Sequence, residues 1–170
     1  ATVDDGLAFR RASCAEPIPT TDLQTVASLC RLLTAMVRGA GERGKDTGSP
    51  VGLDLTRPAD ELTRVLDAMF AFAYVWTVGG SISSEHYEKF DAFVRGHKGS
   101  VLGNTRFGTG TVFDSFPDIA QADAPWRKWA DTVPAFAYDR EQPYFAMVVP
   151  TVDTVRFTWL LSTQVAQLYP

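Results

Sequence analysis

Apolar residues recur at helical spacing near the start of the chain, between two end signals. Thr20, Thr21 and Asp22 are residue types that cap helix N-termini, and Gly39 is the type that most often ends a helix. Between them, apolar residues three or four positions apart are Leu23, Val26, Cys30, Leu33 and Val37. The pattern predicts an amphipathic helix with these side chains on its apolar face.

Two further segments show the same periodicity. One begins near Pro58 and stops at Gly79, and its near lack of polar residues over 69–78 predicts burial on most sides. The other is predicted between Ser83 and Gly96. The apolar positions are Leu62, Val65, Leu66, Met69, Phe70, Ala73 and Trp76 in the first segment, and Tyr87, Phe90 and Val94 in the second. Three successive helices predict a small helical bundle.

Glycine-rich stretches and short apolar segments lie outside these helices. Residues 39–52 and 97–111 mix Gly with Ser, Thr and charged residues, which predicts surface loops. The apolar segments Val112–Phe116 and Ala135–Tyr138 predict short strands in a region interrupted by prolines. We therefore expect an irregular connector after the bundle.

The end of the chain changes character again. Tyr144–Val149 predicts a buried strand, Pro150 ends it, and Thr151–Leu168 predicts a final helix. The predicted fold class is mainly α with a minor β part. Its parts are a helical bundle over 1–97, an irregular connector with short strands over 98–143, and a C-terminal strand and helix over 144–170.

Composition narrows the class of protein. With 170 residues, 45% of them apolar, the chain can bury a real core and is expected to be a soluble globular body. A net charge of -4 argues against contact with nucleic acid or an anionic membrane, since both select basic faces. The longest uncharged run, Ala68–Ser84, is too short to span a bilayer comfortably, so no membrane segment is expected. Cys14 and Cys30 are expected to be reduced thiols.

One stretch resembles a phosphate-binding loop. Gly39–Lys45 matches the first seven positions of GxxxxGK[ST], but the eighth position is Asp46, whose carboxylate would repel phosphate. A helix also precedes this stretch where the motif requires a strand. A flexible insertion is the better interpretation, although an enzyme that uses Lys45 remains an alternative.

Other chemistry-bearing residues have simpler structural interpretations. His86 and His97 have no Cys or carboxylate at metal-ligand spacing, so solvent-facing or capping roles are expected and no metal site is predicted. Asp153 and Arg156 are expected to form an intrahelical ion pair rather than a nucleotide sensor. The pair Trp126 and Trp129 suits hydrophobic anchoring. The residues alone therefore give no active site.

A series of short segments along nearly the whole chain resembles the dynein heavy chain, in order and in spacing. These segments are 6–11 (GLAFRR), 14–20 (CAEPIPT), 28–33 (SLCRLL), 72–80 (FAYVWTVGG), 89–95 (KFDAFVR), 112–114 (VFD), 136–139 (FAYD) and 148–157 (VVPTVDTVRF), together with the Trp126 and Trp129 pair. The glycine-rich loops fall outside the resemblance. The segments 76–80 and 89–94 are more similar to axonemal than to cytoplasmic dyneins.

The resemblance implies a place in a larger ATP-driven motor. Residues 1–97 would be the helical lid of the second AAA module, 98–143 a connector, and 144–170 the start of the third module. It also implies an adenine-contacting loop at Val149, Pro150 and Thr151. The chain ends before the phosphate-binding loop of the third module, so no catalytic residue and no cofactor is expected in it, while ATP or ADP and Mg²⁺ belong to the parent motor.

The same resemblance implies partners and a location. Neighbouring AAA modules of the same heavy chain would contact this piece, and the parent would connect it to other dynein subunits and to microtubules. The implied location is the cytoskeleton, in the axoneme of a cilium or flagellum. A free-standing helical module that binds a protein partner through aromatic surface is the alternative that the residues leave open.

Overall fold

A computed structural model describes residues 2–39, 52–138, 141, 143, 145 and 147–168. The helices in this part are α1 (Thr2–Ser13), α2 (Asp22–Arg38), α3 (Ala59–Val78), α4 (Tyr87–Arg95), α5 (Val101–Asn104) and α6 (Val152–Val165). Short 3-10 helices cover Ser84–His86 and Trp129–Thr132, and the strands β1 (Ser115–Pro117) and β2 (Trp126–Lys128) form an antiparallel pair. The predicted class, mainly α with a minor β part, is confirmed.

Helix α3 is the centre of the fold. It begins after Pro58 and ends at Gly79, as predicted, and it packs against α1, α2, α5 and β1. Its fully or nearly fully buried residues are Val65, Ala68, Met69, Ala71, Phe72, Ala73, Tyr74, Val75, Trp76 and Val78. The predicted burial on most sides is therefore confirmed.

Helix α2 has the predicted ends. The side-chain oxygen of Thr21 accepts a hydrogen bond from the Gln24 amide at 3.2 Å, and the Gln24 side chain accepts one from the Thr21 amide at 2.8 Å. This reciprocal capping box satisfies amides that the first helical turn leaves without partners. Gly39 ends the helix with φ at 70°, a backbone conformation that favours glycine.

The apolar face predicted for α2 is wrong in part, because Leu33 and Val37 are half-buried against the core but the other three predicted residues are exposed. Leu23 is 80% exposed and Cys30 is also exposed, whereas the side chains turned toward α3 and α6 are those of Thr25, Leu29, Leu32, Ala35 and Met36. Both sets of residues recur every three or four positions, so periodicity alone cannot choose between them. Packing between α3 and α6 selects the second set.

Helix α1 was not predicted as a helix of its own. It approaches α3 closely at Gly6, where an added Cβ atom would overlap the Tyr74 hydroxyl. The Tyr74 hydroxyl donates to the Thr2 carbonyl at 3.3 Å, and Leu7 is 5% exposed. Gly6 and several charged residues interrupt the apolar pattern of this segment, and the helix is held by tertiary contacts instead.

A buried arginine joins α1 to the start of α2. The Arg10 guanidinium donates to the hydroxyls of Thr25 at 2.7 Å and Thr20 at 3.0 Å, and it lies 3.6 Å from carboxylate oxygens of Glu16 and Asp22. Its side chain is fully buried, so these partners compensate for the loss of water around the charge. Glu16 also accepts from Thr20 at 2.8 Å and from Ser81, which extends the cluster to the end of α3.

The strands of the connector lie at other positions than predicted. Strand β1 overlaps the predicted strand Val112–Phe116 only at its end, and Ala135–Tyr138 is not a strand. The predicted loop 97–111 contains the short helix α5. The hairpin instead forms where Trp129, 1% exposed, can stack on Phe116 with ring centroids 4.3 Å apart, which confirms hydrophobic anchoring by this tryptophan.

The strand predicted at Tyr144–Val149 is also wrong at its described positions, 145 and 147–149. Phe145 is 97% exposed and Val148 70% exposed, and neither belongs to a strand. A strand needs a neighbour for its backbone hydrogen bonds, and the sheet found among the described residues consists of β1 and β2 alone. The final helix is confirmed as α6, shorter than predicted, with the Trp159 ring edge-on to Phe72 at 5.2 Å.

Gly6→Ala tests the close approach of α1 and α3. Alanine favours a helix over glycine by about 1 kcal/mol, but overpacking a core costs about 1–3 kcal/mol. We expect a lower free energy of unfolding in urea, because the new methyl group would overlap the Tyr74 hydroxyl. Adding Tyr74→Phe, with Tyr74→Phe alone as the control, should recover part of the loss. A Gly6→Ala protein as stable as the parent would disprove this packing.

Glu16→Gln tests the cluster around Arg10. Burial raises the pKa of Glu16, but hydrogen bonds from Ser81 and Thr20 and the charge of Arg10 lower it by more, so the net pKa lies below its ordinary value. The ionised form therefore stabilises the fold above the ordinary pKa, and this stabilisation disappears as the pH falls through the lowered one.

At pH 7 we expect Glu16→Gln to lower the free energy of unfolding by about 1–3 kcal/mol. The difference from the parent should shrink as the pH falls below about 4. Urea unfolding at several pH values measures it, with Glu88→Gln, an exposed acid on α4, as the matched control. A loss that is the same at every pH would show that the Glu16 charge is not involved.

Candidate functional site

The turn into α6 contains the predicted contact residues Val149, Pro150 and Thr151. Val149 is 57% exposed, and Thr151 has extended backbone angles, φ -130° and ψ 168°, at the N-cap of α6. The Thr151 hydroxyl accepts from the Thr154 amide at 3.1 Å, and the Thr151 amide donates to the Thr154 hydroxyl at 2.7 Å. This capping box fixes the turn against the first turn of α6.

Pro150 lines an open groove of about 470 Å³. One wall consists of residues 147–150 and the first two turns of α6, and the other consists of residues 132–137. The lining residues are Thr132, Pro134, Ala135, Phe136, Ala137, Met147, Val148, Pro150, Thr154, Val155 and Thr158. Of the three predicted residues, Pro150 alone is in this lining, and Val149 and Thr151 lie next to it along the chain.

The lining of the groove is apolar and contains no charged side chain among these residues. The hydroxyls of Thr132 and Thr154 donate to the carbonyls of Trp129, at 2.7 Å, and Thr151, at 2.9 Å, so both are already used within the chain. Phe136 is 47% exposed and offers part of a ring. The groove therefore suits a flat, uncharged ring, and its lining has no charged side chain with which to hold a phosphate.

The other candidate sites from the sequence do not join this groove. Of the stretch Gly39–Lys45, only Gly39 is within the described residues, so the interpretation of Lys45 lies outside them. Among the residues that the structure describes, no group of three or more His, Cys, Asp or Glu side chains is placed to hold a metal ion. Cys14 and Cys30 are free thiols. Burial raises the pKa of Cys14, which makes it less reactive than an exposed thiol.

The two histidines have different environments. His86 occupies the N-cap position of α4, and its Nε2 atom lies 3.5 Å from Glu85. His97 is largely buried rather than solvent-facing: its Nε2 atom lies 3.3 Å from Asp5 and its Nδ1 atom 2.9 Å from the Ser100 hydroxyl. This histidine connects α1 with the segment after α4, a role in packing that its sequence neighbours do not reveal.

The ion pair predicted between Asp153 and Arg156 is confirmed, with 2.5 Å between the charged atoms. The Arg156 guanidinium also lies 5.6 Å from the ring centroid of Trp76, 5.3 Å from that of Phe157, and 3.9 Å from a carboxylate oxygen of Asp114. Trp76 is on α3 and Asp114 on the loop before β1, whereas Phe157 is the next residue on α6. The spacing in the sequence predicted Asp153, the partner on the same helix, but not Trp76 and Asp114, which are distant in sequence.

A family model supports the resemblance found in the sequence. The model, described as the dynein heavy chain AAA lid domain, matches residues 1–131. The chain belongs to the dynein heavy chain AAA lid domain family. The match ends inside the second 3-10 helix, so it includes every helix of the lid bundle and the β1–β2 hairpin.

Curated relatives are dynein heavy chains of cilia and flagella. Human dynein axonemal heavy chain 6 is 31% identical over 177 aligned positions, which include 96% of this chain and 4% of the relative. Human dynein axonemal heavy chain 2 is 29% identical, with 96% of this chain and 3% of the relative aligned. The Chlamydomonas reinhardtii dynein-1-alpha heavy chain of the flagellar inner arm I1 complex is 28% identical, with 89% and 3% aligned. The chain thus spans about one twenty-fifth of the first relative.

The groove lies at the C-terminal edge of this dynein lid. Both of its walls, 132–137 and 147–158, come after the segment that the family model matches. The first wall was missed in the sequence because Ala135–Tyr138 suggested a strand. None of the helices in the described part of the chain is long and apolar enough to cross a membrane.

Proposed function

We propose that this chain is a structural link of a dynein heavy chain, in which the lid of the second AAA module leads into the third module. Residues 1–97 are the lid, 98–143 the connector and 144–170 the start of the third module. The parent is an ATP- and Mg²⁺-dependent motor that moves along microtubules in an axoneme, and this link has no catalytic role. Family membership and the axonemal relatives support the proposal.

The observation that carries the proposal is the apolar surface on both sides of α6. On its inner side, Trp159 packs against Phe72 and Trp129, and Thr163 is fully buried. On its outer side, exposed apolar residues recur at helical spacing and continue just beyond the helix. These are Leu161 at 65%, Val165 at 55% and Leu168 at 78% exposure, preceded by Phe157, which is 50% exposed and also meets the Trp76 ring edge-on at 5.9 Å. A helix with this pattern is suited to lie between two packed bodies.

Neighbouring AAA modules are the partners that this outer side fits. No charged residue occurs between 157 and 168, and charged residues are depleted at the centres of protein interfaces. The lid side of α6 is already covered by α2 and by the second 3-10 helix. A body that covers the outer side would therefore leave α6 as the rigid connection between that body and the lid.

Leu161→Asp distinguishes a link between modules from a free-standing interaction module. In the isolated 170-residue chain we expect no loss of stability beyond about 0.5 kcal/mol, because the side chain is exposed. In a longer piece of the heavy chain that includes the next ATPase module, we expect a loss of about 3–5 kcal/mol from burying an unpaired charge. Urea unfolding measures both.

Leu55→Asp is the matched control, because Leu55 is 68% exposed in a turn and should tolerate the charge in both proteins. If Leu161→Asp is equally harmless in the longer piece, the link to the next module is wrong. The free-standing interaction module would then be favoured.

The same proposal assigns the groove beside Pro150 to adenine. We expect adenosine and ATP to bind the isolated chain with similar and weak affinity, roughly millimolar, because the groove contacts a ring and lacks groups for phosphate. Amide chemical shifts of Thr132, Ala135 and Thr154 would report binding, with ribose 5-phosphate as the control ligand. Binding of ATP more than about tenfold tighter than adenosine would contradict a ring-only contact.

A further inference from the structure

Arg156 connects α6, which forms one wall of the groove, with the loop before β1. It is on α6, directly after Thr154 and Val155, which line one wall. Its side chain is 11% exposed and lies against the Trp76 and Phe157 rings. Its Nε atom is buried without a hydrogen-bond partner. A charge in this position costs solvation, so packing alone does not explain an arginine here.

Asp114 connects the same arginine to the other wall. The Asp114 carboxylate accepts from the Thr111 amide at 2.8 Å and from the Thr111 hydroxyl at 2.9 Å, so its orientation is fixed. The Asp114 carbonyl accepts from the Trp129 amide at 3.0 Å. Trp129 begins the 3-10 helix that ends at Thr132, the first residue of the second wall.

The Arg156–Asp114 contact is the longer of the two ion pairs that Arg156 forms. Its atoms are 3.9 Å apart, against 2.5 Å for the pair between Arg156 and Asp153 on the same helix. A displacement of the first two turns of α6 would move Arg156 and Asp153 together, but it would change the distance between Arg156 and Asp114. The planar guanidinium can stay stacked on Trp76 while this distance changes, which a lysine ammonium cannot do in the same way.

We propose that Arg156 and Asp114 are positioning residues that, in addition to the direct packing of Trp159 on Trp129, set the spacing of the two groove walls and carry a change in the groove to the loop at Thr111. The ring-binding part of this inference rests on the proposed function of the groove; the coupling between the walls does not. The path runs from Pro150 and Thr154 through Arg156 and Asp114 to Thr111.

The test records backbone amide chemical shifts of the 170-residue chain under two perturbations of the groove. One perturbation is adenosine, and the other is the substitution Pro150→Ala, which needs no ligand. In the parent, both should shift the Thr111 amide as well as that of Thr154. In Asp114→Asn and in Arg156→Lys, the Thr154 response should persist while the Thr111 response falls to less than about half, which is the non-additivity expected of coupled residues.

The matched control is the exposed ion pair between Arg64 and Asp123, 3.5 Å apart and distant from the groove lining. Arg64→Lys and Asp123→Asn should leave every response unchanged. A merely structural role of Arg156 would lower stability and leave the relative responses as in the parent.

Each outcome has a defined meaning. If adenosine shifts nothing but the effect of Pro150→Ala reaches Thr111 only through Arg156 and Asp114, the adenine contact is wrong and the coupling stands. The coupling is overturned if the Thr111 amide shifts equally in the parent and in both variants. It is also overturned if that amide does not shift in the parent under either perturbation. Two independent variants guard against misfolding of either one.

Discussion

The burial of α3 on nearly every side is the constraint on which the rest of the structure depends. A helix that is almost entirely apolar from Met69 to Val78 has no face to present to water, so other elements must cover it all round. α1, α2, α5 and β1 pack directly on it, and α6 reaches it through Trp159 and Phe72. The lid bundle, the hairpin and the final helix are therefore parts of one packed body.

What the sequence predicted well was local, and what it missed required partners from elsewhere in the chain. The ends of α2 and α3 follow from Thr21, Pro58, Gly39 and Gly79, each of which acts within a few residues of its own position. The buried face of α2 could not be predicted in the same way, because its two apolar stripes have the same spacing. Helix α1 depends on the Gly6 approach and on the Arg10 cluster, which periodicity does not show.

In the candidate site, too, the features that depend on local sequence were predicted and those that depend on distant residues were not. Pro150 was predicted from the segment that contains it, and the structure places it in the groove lining. The opposite wall was assigned to a strand at Ala135–Tyr138, because a short apolar segment cannot reveal whether a pairing neighbour exists. Arg156 shows the limit most clearly: its local pair with Asp153 was predictable, whereas Asp114 and Trp76 become its neighbours only after the chain folds.

A groove without charged side chains would hold a ring weakly, yet its affinity for that ring can depend on the spacing of its walls. Ligand binding shifts a conformational equilibrium only by the difference in its affinity for the two conformations, not by its total affinity. Phosphate groups, where they are held, can supply the total affinity, while a ring held between two walls is sensitive to the spacing of those walls. One wall lies on α6 and the other follows Trp129. Trp159 packs directly on Trp129, and the long Arg156–Asp114 contact is a second connection, between α6 and the loop before β1. If the proposed adenine contact is formed, a weak interaction in this position would therefore report nucleotide state to the lid without helping to retain the nucleotide.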